Sequence, residues 1–133
     1  AAQLAARDQT IAALEAAVNQ LQGTDVQQLT QFKLADMATR LDAARLLTWR
    51  AAESWRLRSG TEEERSKQAA MAKLMAAEAA AFVSRESAQI CGSAGYLKDQ
   101  PAERHLRDAK AAEFLFGPSE EQRLAIGEVL AAD

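Results

Sequence analysis

The sequence has few of the residues that interrupt helices or build compact metal sites. Its 133 residues include two prolines, six glycines, one cysteine and one histidine, and aromatic residues make up 5% of the chain. So few helix breakers predict an all-α fold. One cysteine cannot form an internal disulfide, which fits a cytoplasmic location. One histidine without a partner at metal-ligand spacing predicts no metal site.

Long apolar runs and an excess of positive charge are also missing. The formal net charge is −3, so the basic footprint of a protein that binds nucleic acid or an acidic membrane surface is absent. No apolar segment approaches the roughly 20 residues that cross a bilayer, and no secretory signal is visible. The sequence therefore predicts neither a nucleic-acid partner nor a membrane association.

Alanine is abundant among the hydrophobic residues, which make up 48% of the chain. Because alanine favours helix and fills little volume, this composition predicts closely packed helices rather than a large cavity. The length suits a single helical domain over residues 1–133. The chain opens inside a helical pattern at Ala1–Gln3, which is typical of a piece of a longer protein.

Start and stop signals predict five helices. Capping boxes at Thr24–Gln27, Thr61–Glu64 and Ser119–Gln122 open three of them. Pro101 opens a short fourth helix, since proline is favoured at the first helical position. The predicted helices cover residues 1–23, 24–57, 61–91, 101–116 and 119–131. Because their connections are short, four of them are expected to form an antiparallel bundle, with the short helix added to it.

Apolar stripes predict which helix faces are buried. The stripe of the first helix consists of Leu4, Ile11, Leu14, Val18 and Leu21. It is expected to face the core, with a helix–helix seam between two chains as the alternative. The stripe of the second helix consists of Leu34, Met37, Leu41, Ala44 and Thr48. The stripe of the third consists of Ala70, Leu74, Ala77, Ala81 and Ala88.

Several other residues have a structural interpretation beside a chemical one. Core or interface packing is expected for Trp49, Trp55, Phe82, Phe114 and Phe116. Cys91 is interpreted as a buried small residue rather than a reactive thiol, and His105 as a surface or packing residue. An interhelical salt-bridge network is expected for Arg104, Arg107 and Asp108, with contact to a phosphate as the alternative.

Four sequence blocks carry a family resemblance. In order along the chain they are Gln31–Leu47, Ala72–Leu74, Gln89–Lys110 and Gly117–Leu124. They resemble the C-terminal helical domain of flavin-dependent acyl-CoA dehydrogenases. The match runs without large gaps from residue 26 to 131, whereas residues 1–23 match only in helical character.

The resemblance implies a reaction and a position for its base. The family removes two hydrogens from an acyl-CoA thioester: a carboxylate takes the α-proton and FAD accepts a hydride. In many members the base is a glutamate just before the glycine that leads into the last helix. Here Phe116 precedes Gly117, so no catalytic residue is predicted. Glu113 is the weak substitute, while Glu120 and Glu121 do not match. Some members place the base on the first helix, at a position upstream of this chain.

The same resemblance implies flavin contacts at Gln89, Gly92, Ser93 and Gly117. Ser93 replaces the second glycine of a pair that lets the backbone approach a neighbouring subunit's flavin. Pro118 replaces a threonine and so lacks both the hydroxyl and the N–H. In the first helix, an arginine-phenylalanine-glycine element is replaced by Ala17, Gln20 and Leu21. FAD is thus the expected family cofactor, with weak or no binding by this chain alone.

Two functional hypotheses remain open. The first is the C-terminal domain of an acyl-CoA dehydrogenase-type flavoprotein, which lines the acyl and flavin site and contacts neighbouring subunits. This domain is expected to be inactive alone, in a homo-oligomer or in a mixed oligomer in which a related subunit supplies the base. The alternative is a non-enzymatic helical assembly module derived from that domain.

Overall fold

A computed structural model describes residues 25–132, and this part of the chain contains helices and no strands. The helices are α1 (Asp25–Leu57), α2 (Glu62–Ile90), a 3-10 helix (Gly92–Tyr96), α3 (Pro101–Ala112) and α4 (Ser119–Ala132). The all-α prediction is confirmed. The first predicted helix, its apolar stripe and the cap at Thr24 lie outside the described residues.

The connection between α1 and α2 follows its sequence signals closely. The Glu64 backbone N–H donates to Thr61 Oγ1 at 3.2 Å, and the Thr61 N–H donates to Glu64 Oε2 at 2.8 Å. The predicted capping box is therefore confirmed. At the end of α1, Arg58 adopts a left-handed φ of 52°, and the Ser59 N–H donates to the Ser54 carbonyl at 3.1 Å. This bond closes the helix end as in a Schellman motif, although the left-handed position holds arginine instead of glycine.

The second half of the chain departs from the predicted helix ends. α3 ends at Ala112 rather than at Phe116. The backbone turns left-handed at Phe116 (φ 60°) and Gly117 (φ 92°), and a right-handed helix cannot continue through such residues. α4 begins at Ser119 itself, so the predicted Ser119 cap was one residue late. The segment after α2, predicted as a loop, forms the 3-10 helix.

α2 is the central element, because α1, α3, α4 and the 3-10 helix all pack against it. An ion pair between Lys33 and Glu86 brings the start of α1 beside the end of α2. A second ion pair joins Glu78 in the middle of α2 to Arg123 near the start of α4. The end of α4 lies beside the start of α2, where Glu128 and Lys67 line one groove. Both α1 and α4 therefore run antiparallel to α2, as expected for a bundle with short connections.

Small residues form the core of the described part. Its buried hydrophobic residues are Met37, Ala44, Ala51, Ala70, Ala72, Ala77, Ala79 and Ala109. On α2, Ala79 lies seven and Ala72 fourteen residues before Glu86, and both so share its side, which faces α1. Ala70 and Ala77 lie on the opposite side of the helix. Two alanine stripes thus allow α2 to be approached closely from both sides.

Core packing, one of the two interpretations of the five aromatic residues, is wrong for four of them. The exposed aromatic side chains include Trp49, Trp55, Phe114 and Phe116. Phe82 is half-buried, with the guanidinium groups of Arg40 and Arg85 at 4.2 and 5.3 Å from its ring centre. The reason is spatial: helices that meet on alanine leave no room for an aromatic ring between them. Interface packing of the exposed rings stays a prediction.

Candidate functional site

The turn between α3 and α4, Glu113–Gly117, holds the position at which a catalytic glutamate was expected. Phe116 occupies it in a left-handed conformation, with 94% of its surface exposed. Its carbonyl accepts a hydrogen bond from Gln122 Nε2 at 3.5 Å. A left-handed phenylalanine is strained relative to glycine or asparagine. The surrounding backbone therefore imposes this conformation, since the exposed side chain has little packing to do so.

Glu113, the substitute base candidate, lies at the start of this turn. Its carboxylate accepts a hydrogen bond from Lys110 Nζ at 2.6 Å, and its side chain is 27% exposed. Its main-chain carbonyl accepts a hydrogen bond from Lys73 Nζ of α2 at 3.2 Å. Both polar groups of Glu113 are thus engaged at the end of α3. Acting as a base would require the carboxylate to leave Lys110.

A carboxylate that the sequence interpretation set aside lies beside the same turn. Glu121, in the first turn of α4, folds back so that a Cβ added to Gly117 would lie 3.1 Å from Glu121 Oε2. Gln122 Nε2 would lie 2.8 Å from the same added Cβ of Gly117. The spacing in the sequence could have indicated this position of Glu121. A side chain four residues after a turn glycine, in the first turn of the following helix, can reach back over that glycine.

The other predicted cofactor residues cluster where α2 meets the 3-10 helix. Gln89, Gly92 and Ser93 are all exposed. Gly92 has a φ of 60°, and a Cβ there would meet nothing within 4 Å. Gly95 differs, because it is buried and an added Cβ would lie 2.5 Å from the Ala88 carbonyl oxygen. Gly92 thus leaves an open surface, whereas Gly95 is required for packing.

The two groups of predicted residues are far apart in one chain. Lys73 lies next to the Glu113–Gly117 turn, whereas Gly92 follows the end of α2. At 1.5 Å per residue, the helix between them separates the two places by about 25 Å. The structure therefore brings Phe116, Gly117 and Glu113 together, but it does not bring Gln89, Gly92 and Ser93 to them.

Comparison with known proteins supplies the family. The model of the acyl-CoA dehydrogenase C-terminal domain matches residues 3–131. The chain belongs to the acyl-CoA dehydrogenase family. It is 52% identical over 99 residues to the human mitochondrial short-chain specific acyl-CoA dehydrogenase, covering 74% of this chain and 23% of that protein. An acyl-CoA dehydrogenase of Bacillus subtilis is 46% identical over 101 residues, covering 74% and 25%.

The fold agrees with solved members of the family. Butyryl-CoA dehydrogenase from Megasphaera elsdenii superposes with a TM-score of 0.77 and 34% identity, over 92% of this chain and 33% of that one. The acyl-CoA dehydrogenase of Geobacillus kaustophilus superposes with a TM-score of 0.74 and 25% identity, over 91% and 33%. The chain thus spans about a quarter of the curated relatives it matches, and about a third of these solved chains.

Acyl-CoA dehydrogenases are FAD-dependent, and the exposed residues after α2 suit such a cofactor. The open space above Gly92 allows a planar group to approach the backbone, and the Gln89 amide and Ser93 hydroxyl can supply hydrogen bonds beside it. At the other turn, Pro118 has no N–H to donate. The residues present fit a flavin at the Gly92 end better than at the Gly117 end.

The remaining residues with chemical potential have structural surroundings. Arg107 Nε lies 2.8 Å from Glu103 Oε1, an ion pair within α3, so the predicted interhelical network is wrong for Arg107. Arg104 and Asp108 are exposed and His105 is half-buried on the same helix. Cys91, predicted to be buried, is exposed because α2 ends there.

Three further observations concern the described residues. Among Asp25–Ala132, no helix is both long and apolar enough to cross a membrane. The same residues contain no group of three or more histidine, cysteine or acidic side chains placed to hold a metal ion. A shallow groove lies between the start of α2 and the end of α4, lined by Glu62, Lys67, Glu128 and Val129 among others. It lies away from both predicted turns.

Proposed function

We propose that this chain acts as the C-terminal helical domain of a flavoprotein that oxidises acyl-CoA thioesters at the α,β bond with FAD. The observation that carries the proposal is the family match over residues 3–131. The Glu113–Gly117 turn supports it, because its left-handed residues present position 116 to the outside of the domain. Other parts of the whole protein would meet the domain there and complete the acyl site.

In this proposal the domain supplies walls and contacts rather than the base. The phenyl ring of Phe116 cannot accept a proton, so the residue at the usual base position cannot act as the base. Bound FAD would supply the acceptor for the hydride. The Gly92 end of the domain would contact flavin through Gln89, Gly92 and Ser93, and about 25 Å of helix would separate this contact from the Gly117 turn. Each flavin site would then combine two subunits.

We further propose that the whole protein works as a homo-oligomer or as a mixed oligomer with a related subunit that carries the base. The outer face of α1 supports this, because Leu46 and Trp49 are 62% and 67% exposed three residues apart. Large exposed apolar side chains grouped on one face mark interaction surfaces.

The test is to purify the full-length protein that contains this domain, alone and with any subunit that copurifies. We expect a yellow protein that contains FAD, and dehydrogenation of an acyl-CoA with an artificial electron acceptor only when a subunit with a base is present. A flavin-containing protein that does not respond to any acyl-CoA would contradict the substrate class. A colourless full-length protein that retains no FAD after incubation with FAD and removal of the unbound flavin by gel filtration would contradict the flavoprotein proposal.

The second candidate is a non-enzymatic helical assembly module. Phe116 at the base position and Pro118 at a donor position favour it. Phe116 removes the carboxylate and Pro118 the hydrogen-bond donors, whereas the helical fold is retained. A colourless full-length protein that forms a stable oligomer through α1 would support this function in place of the first.

A further inference from the structure

We propose that Lys73 is a positioning residue for the proposed acyl site, because it holds the Glu113–Gly117 turn in place from the central helix. The proposal deepens the proposed function, since the turn carries position 116. Lys73 lies within one of the blocks that carry the family resemblance, but the sequence interpretation gave it no role. Its part becomes visible only when α2 and α3 are packed together.

The contact joins residues that are distant in sequence. Lys73 is half-buried on α2, and its Nζ donates to the Glu113 main-chain carbonyl at 3.2 Å. Glu113 is the C-cap of α3, where the last carbonyls of a helix lack intrahelical partners. A cation placed there also interacts favourably with the negative end of the helix dipole. Lys73 thus satisfies an acceptor that the turn itself leaves open.

Hydrogen bonds to main-chain carbonyls, rather than packing of the Phe116 ring, hold this turn in place. The ring of Phe116 is 94% exposed and therefore contributes little to holding its own left-handed backbone. The Leu115 N–H donates to the Ala111 carbonyl at 3.2 Å, which keeps the turn on the end of α3. Gln122 Nε2 holds the far side of the turn through the Phe116 carbonyl. Lys73 holds the near side, and its hydrogen bond ties the turn to α2.

Lys73 is assigned to positioning and not to catalysis because its ammonium points at a main-chain oxygen. A residue that acts through the backbone changes where position 116 stands, whichever side chain occupies it. Loss of the ammonium should loosen the turn locally while the helices stay in place. This difference separates positioning from a general contribution to stability.

The first measurement is amide hydrogen exchange of the full-length protein, followed by mass spectrometry of the peptide that covers Glu113–Gly117. Lys73→Met keeps most of the length of the side chain and removes its charge and donors. We expect exchange in this peptide to accelerate about tenfold, as expected for the loss of one charged hydrogen bond. Lys67→Met is the matched control, because Lys67 is a half-buried lysine of the same helix near the groove with α4.

The proposal is supported if Lys73→Met accelerates exchange in this peptide, Lys67→Met does not, and Lys73→Arg restores slow exchange by supplying a donor. It is overturned if Lys73→Met exchanges like the unmodified protein, or if Lys67→Met has the same effect. An arginine variant as fast as the methionine variant would show that the hydrogen bond is not the cause.

The second measurement connects the turn to the ligand. In the flavin-containing full-length protein, titration with an acyl-CoA is followed by the change in flavin absorbance. We expect Lys73→Met to weaken acyl-CoA binding severalfold while the FAD content stays unchanged, whereas Lys67→Met changes neither. Unaltered acyl-CoA binding by a protein with a loosened turn would overturn the positioning role. If the full-length protein binds no FAD, the proposed function fails, and the exchange measurement still decides whether Lys73 holds the turn.

Discussion

Glu86 on α2 and Lys33 on α1 form an ion pair across the interface of the two longest helices in the described part of the chain. The Glu86 side chain is 14% exposed and that of Lys33 38%. The hydrogen bond from Lys33 lowers the pKa of Glu86 below its ordinary value of 4.5, assisted by a second hydrogen bond from Arg85. This ion pair therefore makes the stability of the fold depend on pH.

We expect the pair to stabilise the domain at neutral pH and to lose this effect in acid. A carboxyl whose pKa is lowered by folding stabilises the folded state above its unfolded pKa, and this contribution disappears as pH falls through the folded pKa. Glu86→Gln should therefore flatten the decline of the free energy of unfolding below pH 4.5. Urea unfolding of both proteins across this range measures the difference. Equal slopes would show that Glu86 is not responsible.

Two glycine-to-alanine substitutions are expected to have opposite signs. At Gly95 the new Cβ would lie 2.5 Å from the Ala88 carbonyl oxygen, so we expect a loss of about 2 kcal/mol. At Gly127, inside α4, it would meet nothing within 4 Å, and the better helix propensity of alanine should add about 1 kcal/mol. Thermal unfolding of the two single variants provides the comparison. A neutral Gly95→Ala would contradict the close approach seen after α2.

Arg58→Gly should stabilise the domain. Arg58 takes the left-handed position after α1, where glycine is preferred. The relieved strain exceeds the added freedom of the unfolded chain, so we expect a net gain of about 0.5 kcal/mol. Ala52→Gly is the control, because Ala52 is exposed inside α1 and its replacement should cost about 1 kcal/mol. Destabilisation by both glycines would mean that position 58 is not strained.

The outer face of α1 is expected to mediate self-association. Leu46 and Trp49 are exposed on it, whereas Trp55 lies against the Arg65 guanidinium at 5.2 Å. The double substitution Leu46→Gln and Trp49→Gln should shift the chain toward monomer in sedimentation at micromolar concentration. Leu130→Gln on α4 is the control, since that leucine is 59% exposed. A monomeric unmodified chain would refute the prediction, as would an unchanged oligomer in the double variant.

Phe116→Glu is not expected to confer dehydrogenase activity on the 133-residue chain. The substitution returns a carboxylate to the family position, but a base contributes only about 10²–10⁴-fold to a rate. The rest depends on a flavin held against the substrate. The assay combines the variant with FAD, an acyl-CoA and an artificial acceptor. Turnover above the protein-free blank would contradict the prediction. Turnover by the unmodified chain would direct attention to Glu113 and Glu121, with Glu121→Gln as the deciding variant.

Local sequence signals predicted much of the helical framework. The capping box at Thr61–Glu64, the proline at the start of α3 and the seven-residue spacing of Ala70 and Ala77 each depend on contacts within one or two helical turns. Such contacts can be predicted from residues that are close in the sequence, because helix geometry fixes which of them meet. The end of α3 was predicted four residues late, since nothing in the local pattern marks Phe116 as left-handed.

The sequence by itself determined the all-α class, the family and the absence of a carboxylate at position 116, because each depends on residue type and order. Only the tertiary structure decided that large aromatic side chains stay outside the alanine core, that Glu121 folds back to Gly117 and that Lys73 reaches Glu113. It also decided that the Gly92 and Gly117 ends lie about 25 Å apart along α2. These are relations between side chains on different helices or turns, and they arise only when packing against α2 brings distant parts of the chain together or holds them apart.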